Sequence, residues 1–493
     1  MARKIIKPQP ISGFPEYTPA VQRVWQAWCD HMRAVFERYG FCGIETPAVE
    51  ALDVIAAKGE VDKEIYVLER LHRAEGDKDA RLGLRFDQTV PLARYVAQHF
   101  NDLDFPFKRY QIGRVWRGER PQAGRFREFT QADIDVIGVD ALPLSFDAEL
   151  AAIMWEVLSG LLNPPQPPPS ARGGNDGANL SPLEQERSEG ANLPPLEQGG
   201  VRGGSALPFQ IRVSNRKILI GLLKSVCIRK NEEITKILSF LDKGHEIHPG
   251  LLREFGVTES EKQKILMEFH YQFKIFQNKK GETFNYIYEN MKHLIGEGLI
   301  YLDTYDESIE EGLDELKSVM ADLSHLPKGA VVADLSIVRG LDYYTGTVYE
   351  TFLTDAPELG SICSGGRYDD LAGAYINKKL PGVGLSIGVS RLFSHLLAAG
   401  KLPIGRVSPA EVLVALPSED HRKAAQEAAR ALRQRGINTE VYHAPHKIGR
   451  QIAYAEKRGV PHVWFPDAGG HSVKTLATGQ QAPADPQTWR PPA

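Results

Sequence analysis

Two stretches, Phe107 to Trp116 and Phe126 to Val139, alternate apolar and polar residues on either side of a turn-rich link, Gly118 to Gly124. Period-two alternation over that length belongs to a half-buried strand, so the chain contains an antiparallel hairpin and needs a sheet to receive it. The hairpin carries Lys108, Arg109, Arg114, Arg117, Arg120, Arg125 and Arg127, with Glu119 as the one acid between them. Two readings stand side by side. The charges form a solvated surface, or they form an anion site, because Tyr110, Trp116 and Phe126 are interleaved with them and a planar guanidinium suits bidentate phosphate recognition. Alternation puts Arg117 and Glu119 on one face, as a site floored by a sheet requires.

The rest of the chain is organised around this hairpin. From Tyr17 to Tyr39 the apolar residues Val21, Val24, Trp25, Trp28, Met32, Val35 and Phe36 recur at helical spacing and Gly40 ends the run. Phe41 to Val49 follows with β-formers and Pro47, which a strand tolerates only at a sheet edge or where the ladder is interrupted, so the helix feeds an edge strand. A helix ends near Leu162, and from Asn163 to Pro208 the composition collapses to Pro, Gly, Ser, Asn, Glu and Gln, with GANLSPLEQ repeated as GANLPPLEQ. Such a stretch cannot bury enough apolar surface to offset its ordering entropy, and it reads as a disordered insertion or, alternatively, a partner-binding tether. Pattern resumes with the strand FQIRVSN at Phe209, then several Lys- and Glu-rich helices from Ile218 to Met320, then strands from Ala330 to about Phe352. From Glu411 onward strands and helices alternate (EVLVALP, a helix from Asp420 to Arg435, INTEVYH, a helix from Lys447 to Arg458, PHVWFP), which argues a small α/β domain with a largely parallel sheet. The expected division is 1–162, first part of the core; 163–208, insertion; 209–222, a core strand and helix start; 223–328, helical insertion domain; 329–402, second part of the core; and 403–493, C-terminal domain.

Length and charge agree with this. At 493 residues the chain expects about three domains at roughly 150 residues each. A formal net charge of −4 excludes a globally basic nucleic-acid binder, so any such contact comes from local patches. Cys29, Cys42, Cys227 and Cys363 form no CxxC pair, which argues against a disulfide framework or zinc ribbon and reads as buried small hydrophobes in a reducing cytosol. His443, His446, His462 and His471 fit no common metal-ligand spacing. The chain lacks the roughly 18-residue apolar run that membrane spanning needs, and its start lacks the apolar stretch of a secretory signal.

Two further constellations stand beyond the hairpin. In RGLDYYTG, Arg339 to Gly346, an arginine lies beside an acid and two tyrosines, either an ion pair with aromatic packing or a site. SGGRYDDL, Ser364 to Leu371, precedes GVGLSIGVSRL, Gly382 to Leu392; its glycines serve close packing or a ligand, and Gly388 three residues before Arg391 lets a helix start beside an anion.

Together these motifs resemble a known family. RYGFCGIETPAVE, RVWRGERPQAGRFREFTQADIDVIG and GVGLSIGVSRL resemble motifs 1, 2 and 3 of class II aminoacyl-tRNA synthetases, and RGLDYYTG, LRFDQT and GGRYDDL resemble the signature of the histidyl-tRNA synthetase family. The resemblance implies a multidomain α/β and α+β protein: an antiparallel-sheet catalytic domain, a helical insertion and a C-terminal anticodon-binding-like domain. It implies activation of L-histidine with ATP and transfer to histidine tRNA, by a cytoplasmic homodimer whose motif 1 forms the interface. By the same resemblance Arg339, Arg117 and Gln131 carry catalysis, with Arg339 standing where other class II enzymes place a metal. Asp87, Thr89, Gln131, Asp135, Tyr343 and Tyr344 bind histidine, with Asp87 replacing the Glu of many bacterial members. Arg117, Glu119, Phe129 and Arg391 bind ATP, and Arg120 and Gln122 face the tRNA acceptor end. Magnesium accompanies ATP, with no tightly bound protein metal. Lys447, Arg450, Lys457 and Arg458 supply either tRNA contacts or a solvated helix face. Two alternatives stand: a catalytically silent histidine sensor of the ATP phosphoribosyltransferase regulatory type, against which Arg117, Arg339, Arg391, both tyrosines and the C-terminal domain weigh, and a threonyl or prolyl synthetase, against which RGLDYYTG weighs.

Overall fold

The computed structural model describes residues 7–55, 65–70, 81–121, 124–162, 207–225, 307–335, 337, 344–370, 372–373, 375–467 and 470–492. These fall into two compact units, one from residues 7–15, 29–162 and 207–395, the other from 16–28 and 396–492.

The strands in chain order are β1 (Cys42–Gly43), β2 (Val49–Ala51), β3 (Val67–Leu68), β4 (Leu82–Leu84), β5 (Phe107–Trp116), β6 (Glu128–Ile137), β7 (Phe209–Asn215), β8 (Val331–Ala333), β9 (Tyr344–Leu353), β10 (Cys363–Tyr368) and β11 (Gly382–Ile387) in the first unit. Eight of them form one sheet in the order β1-β5-β6-β11-β10-β9-β7-β8, and β2-β4-β3 form a small second sheet. The expected hairpin supplies the second and third strands of the large sheet: β5 and β6 pair antiparallel along their whole length, from Phe107 opposite Ile137 to Trp116 opposite Glu128. On one face residues 29–38 of the first helix (Pro19–Arg38) and the helix Ser145–Leu162 cover the sheet. Phe36 packs on Tyr110 with ring centroids 5.6 Å apart, Lys108 pairs with Glu149 at 2.9 Å, and Tyr349 donates its hydroxyl to the Asp147 carbonyl at 2.9 Å. Arg367 of GGRYDDL locks that helix in place by an ion pair with the fully buried Asp147 and by donating to the Leu142 and Pro143 carbonyls at 3.1 and 3.0 Å.

The helix Ser308–Asp322, at the end of the expected helical insertion of 223–328, packs on the core of the first unit, where Ile309, Leu313, Leu316 and Val319 are fully buried and Glu315 accepts from Asn215 and Lys217 at 2.7 and 2.6 Å. Three expectations need correction. The segment Phe41 to Val49 is not one strand: β1 pairs in parallel with β5 over two residues and β2 joins the small sheet, since Pro47 cannot continue a ladder. Arg117 and Glu119 lie just past the end of β5, not within it. Cys42 is exposed, because the edge strand that carries it is covered on neither side chain, whereas Cys363 is buried. The insertion 163–206, Cys227 and residues 226–306 lie outside the described residues.

In the second unit β12 (Val412–Val414), β13 (Thr439–Val441), β14 (His462–Asp467), β15 (Gly470–Thr475) and β16 (Gln481–Pro483) form a sheet in the order β13-β12-β14-β15-β16. The first three are parallel, as the alternation of strands and helices predicts, and the helices Arg422–Gln434 and Ile448–Arg458 connect them. The antiparallel β15 and β16 were not expected; β16 is exposed throughout and shows no apolar alternation to find.

Candidate active site

The uncovered face of β5, β6 and β11 is polar, and register explains how. Residues two apart on a strand share a face and cross-strand partners stand side by side. Gln131, Asp133 and Asp135 therefore point one way from β6, while Ala132, Ile134 and Val136 point into the apolar core. Across the ladders Asp135 stands between Arg109 and Gly384, Asp133 between Gln111 and Ser386, and Gln131 opposite Gly113.

This surface floors a small, open pocket lined by Thr89, Asp133, Asp135, Tyr344, Ser364, Tyr368 and the Gly384–Ser386 stretch. At its base Arg109 Nη2 lies 2.5 Å from Asp135 Oδ2, with the arginine wholly buried, and the Tyr368 hydroxyl donates to Asp135 Oδ1 at 3.1 Å. Burial pushes the Asp135 carboxyl up against the pull of Arg109 and Tyr368. Asp133, beside it, is pushed up to about 7 by burial, against the opposing pull of Arg109 and a hydrogen bond from Ser386. Gly384 has to be glycine: a Cβ there would lie 2.0 Å from Asp135 Oδ1. Gly365 is held the same way, with a Cβ 2.0 Å from the Gly384 carbonyl, so these glycines of the two Gly-rich motifs serve close approach around the acid.

The wall of the cavity comes from the LRFDQT segment. Asp87 Oδ1 accepts the Val90 backbone N–H at 3.1 Å and so helps start the helix Thr89–Gln98, which sets Thr89 at the rim. Gln88 is fully buried and donates to the Gly113 and Gln131 carbonyls at 3.0 and 3.3 Å, tying the segment to the hairpin. Arg85, also buried, donates to the Arg114 carbonyl at 2.8 Å and to the Thr46 carbonyl.

The hairpin loop forms a second, more open cluster. Arg117 donates its Nε to the Phe86 carbonyl at 3.2 Å and stacks its guanidinium 5.2 Å from the Phe129 ring centroid. Glu119 faces Arg125 at 3.4 Å, and Arg127 donates to the Glu119 carbonyl at 3.2 Å. Arg391, in the helix Val389–Ala398, donates to the Gly124 and Ser361 carbonyls at 3.1 and 2.9 Å, and Ser390 Oγ accepts the Thr130 N–H at 2.8 Å, so the motif 3 helix is tied to the hairpin.

The sequence matches the family model described as Histidyl-tRNA synthetase over residues 13–166 and 295–392, and the one described as Anticodon binding domain over 411–478. Among curated proteins it is 46% identical to the Histidine--tRNA ligase of Thermobifida fusca (strain YX), over 99% of each chain, and 42% identical to that of Bifidobacterium animalis subsp. lactis (strain AD011), over 98% of this chain and 95% of the other. The chain belongs to the histidyl-tRNA synthetase family. Among solved structures, the histidyl-tRNA synthetase of Nostoc sp. PCC 7120 superposes with a TM-score of 0.74 at 34% identity, covering 98% of this chain and 97% of that one. The architecture is the class II one implied by the motifs, with an anticodon-binding domain at the C-terminal end.

Of the residues that family likeness singles out, the structure brings Thr89, Asp135 and Tyr344 to one cavity, puts Asp87 and Gln131 on the segments that frame it, and groups Arg117 with Phe129 and Glu119 with Arg125 on the adjoining hairpin. Arg120 sits in the hairpin loop. Arg339, Tyr343 and Gln122 lie outside the described residues. Sequence reading missed Asp133, Ser386 and Tyr368 and left Arg109 within a basic run that was either solvated or anion-facing; it is instead the buried counter-ion of Asp135. The signal was present in β6, where Gln131, Asp133 and Asp135 alternate with Ala132, Ile134 and Val136.

Proposed function

We propose that the chain activates L-histidine with ATP and transfers it to the 3′ end of histidine tRNA, acting as a homodimer in the cytoplasm. In the first step a histidine carboxylate oxygen attacks the α-phosphorus and pyrophosphate leaves; in the second a ribose hydroxyl of the terminal nucleotide attacks the carbonyl carbon and AMP leaves. Neither step requires covalent chemistry from the protein, so catalysis rests on positioning and on cations placed where negative charge accumulates.

The observation that carries this reading is the cavity floored by Asp133 and Asp135 and flanked by Tyr344 and Tyr368, beside an arginine stacked on an aromatic ring. Asp135, held by Arg109 and Tyr368, accepts an imidazole N–H, and the tyrosines Tyr343 and Tyr344 complete that side. Asp87, Thr89 and Gln131 receive the ammonium group. Arg117 bridges the α-phosphate and the carboxylate; Glu119, Phe129 and Arg391 hold the adenine; Arg120 and Gln122 meet the tRNA acceptor end. Arg339 stabilises the pentavalent phosphorus with a charge that does not titrate near neutrality. Magnesium would enter with ATP as part of that substrate and would supply positive charge to its phosphates; among the described residues there is no cluster of three or more His, Cys, Asp or Glu side chains arranged to hold a metal. A pocket that leaves buried polar groups unpaired with the wrong amino acid discriminates strongly without editing. The near full-length likeness to curated ligases and the anticodon module favour this reading over a histidine-sensing paralogue.

Histidine-dependent ATP–pyrophosphate exchange, with the other amino acids as controls, tests the proposal. Exchange with histidine alone is expected; equal exchange with several amino acids, or none with histidine, overturns it.

A further inference from the structure

Among the described residues, the outer edge of β5 has a strand beside it only as far as Tyr110. β1 pairs with Arg109 and Tyr110, Pro47 interrupts the strand that would follow, and residues 112–116 have β6 alone as a neighbour. The LRFDQT segment fills the gap, largely through Arg85. The Trp116 N–H donates to the Arg85 carbonyl at 3.0 Å, and the Arg85 N–H donates to the Ala48 carbonyl at 3.0 Å. The guanidinium completes the link: its Nε donates to the Arg114 carbonyl at 2.8 Å, while its Nη1 donates to the Thr46 carbonyl and, at 3.2 Å, to Thr46 Oγ1. A Cβ on Gly113 would lie 2.8 Å from Arg85 Nη2, so glycine there leaves the room that the fork occupies. One planar group thus stands in for an interrupted ladder. Arg85 is 3% exposed, and among the described residues its side chain bonds to backbone carbonyls and one hydroxyl, with no carboxylate at ion-pair distance. An apolar side chain would fill such a site without the cost of taking a charge out of water.

We propose that Arg85 is a positioning residue for the adenylation step: by pinning the LRFDQT segment to both β5 and Thr46, it sets the Phe86 carbonyl that orients Arg117. Arg117 Nε donates to that carbonyl at 3.2 Å, and its chain neighbour Trp116 is bonded to Arg85 itself. With Nε held there and the guanidinium stacked 5.2 Å from the Phe129 ring centroid, the two Nη groups are the end of Arg117 that meets an anion. Gln88 ties the same segment to the Gly113 and Gln131 carbonyls of the hairpin alone, whereas the Arg85 fork reaches both the hairpin and the Thr46 stretch. The inference rests on the role proposed above for Arg117 and adds the residue that sets its orientation.

The test is a double-mutant cycle on the full chain, read as single-turnover formation of histidyl-adenylate at saturating histidine and ATP. Arg85→Met alone is expected to slow this step by about tenfold or more, the scale of a small misplacement of a group that contacts the reacting atoms. In an Arg117→Ala background the same change is expected to cost less than about twofold, because the group it positions is gone. Arg85→Lys keeps the charge but not the fork, and its rate is expected to fall between those of Arg85→Met and the wild type. Equal losses in the two backgrounds mark Arg85 as merely structural and overturn the inference, as does an unchanged rate in Arg85→Met. Should Arg85→Met fail to fold, the cycle of Arg85→Lys with Arg117→Ala decides by the same rule. A wild-type chain without histidine-dependent exchange removes the proposed function and the inference together; with exchange present, equal losses remove the inference alone.

Discussion

The eight-stranded sheet and the five-stranded sheet handle charge in opposite ways. On the first, Arg109, Asp133 and Asp135 are buried at 0%, 4% and 4% exposure beneath a cavity. On the second, Val412, Leu413, Val414, Ala415 and Leu416 run unbroken through a core closed by Trp464, and Lys447, Arg450 and Lys457 ride exposed on or at the start of the helix Ile448–Arg458. Removing an ion from water costs several kcal/mol unless a partner offsets it, whereas burying an aliphatic side chain contributes about 1.5–3 kcal/mol. The first unit gives up stability to hold charge where the proposed amino-acid substrate meets it. Among the described residues the second unit buries no Lys, Arg, Asp or Glu and displays those charges at the surface, where the proposed tRNA partner meets them.

Four experiments break or sharpen that contrast. The largest effect is expected from Arg109→Ala, which leaves Asp135 buried without its counter-ion: about 3–5 kcal/mol of stability lost, read by urea unfolding, while hydrogen exchange of the β14 amides in the second unit is unchanged. A loss below about 1 kcal/mol, the range of an exposed pair, would mean that the pair is effectively solvated. Next, Arg339→Ala should slow single-turnover adenylation by about a hundredfold or more, as for a lost preorganised transition-state donor, with ATP binding much less affected; a rate within a few-fold of wild type sinks its catalytic role. Third, a chain ending near Leu402 should keep histidine-dependent pyrophosphate exchange but lose more than about tenfold of tRNA charging at low tRNA and low salt, since surface charge supplies contacts by counter-ion release. Undiminished charging at every tRNA concentration would show that the second unit is not a tRNA reader.

The smallest effect is on pH dependence, and its sign differs between the units. Asp133, which faces Arg109, Asp135, Asp87 and Ser386, has its carboxyl raised from 3.8 to about 7. A raised acid binds more protons folded than unfolded, so its contribution is fully present below the unfolded value and is lost as pH rises to about 7. His462 is lowered from 6.5, chiefly by burial, so its contribution is present above 6.5 and lost as pH falls through the folded value. Between pH 5 and 8 the hydrogen-exchange stability of β6 should fall with rising pH, less so in Asp133→Asn, while that of β14 should rise, less so in His462→Gln. Parallel slopes in both units would show that neither group governs its sheet.

Much of this was legible beforehand, where a local pattern carries the structure. The β5–β6 hairpin and the first helix declare themselves through periods of two and three to four, and their ends were found to within a few residues. Segments whose partner lies far along the chain were harder. The helix Ser308–Asp322 has the same amphipathic pattern whether it packs within an insertion or against β7 and the helix Arg216–Ser225, and only the contacts decide. At the site, the family motifs point to Asp87, Thr89, Gln131 and Asp135, yet nothing in a run of basic residues separates the buried Arg109 from Arg114, whose side chain is 67% exposed.

By itself, the sequence determined the β5–β6 hairpin and which of its residues share a face, the alternation of strands and helices in the C-terminal unit, and that an arginine-rich hairpin accompanies a Gly-rich strand and helix, because alternation, helical spacing and turn chemistry act between near neighbours in the chain. Only the tertiary structure decided which charges are buried and with whom. Arg109 meets Asp135 because β5 and β6 pair in one register, and Ser386 stands beside Asp133 because β11, some 250 residues later, docks on β6 with Gly384 opposite Asp135, where any side chain would displace the acid. A shift of that register by one residue would turn the whole polar row into the apolar core.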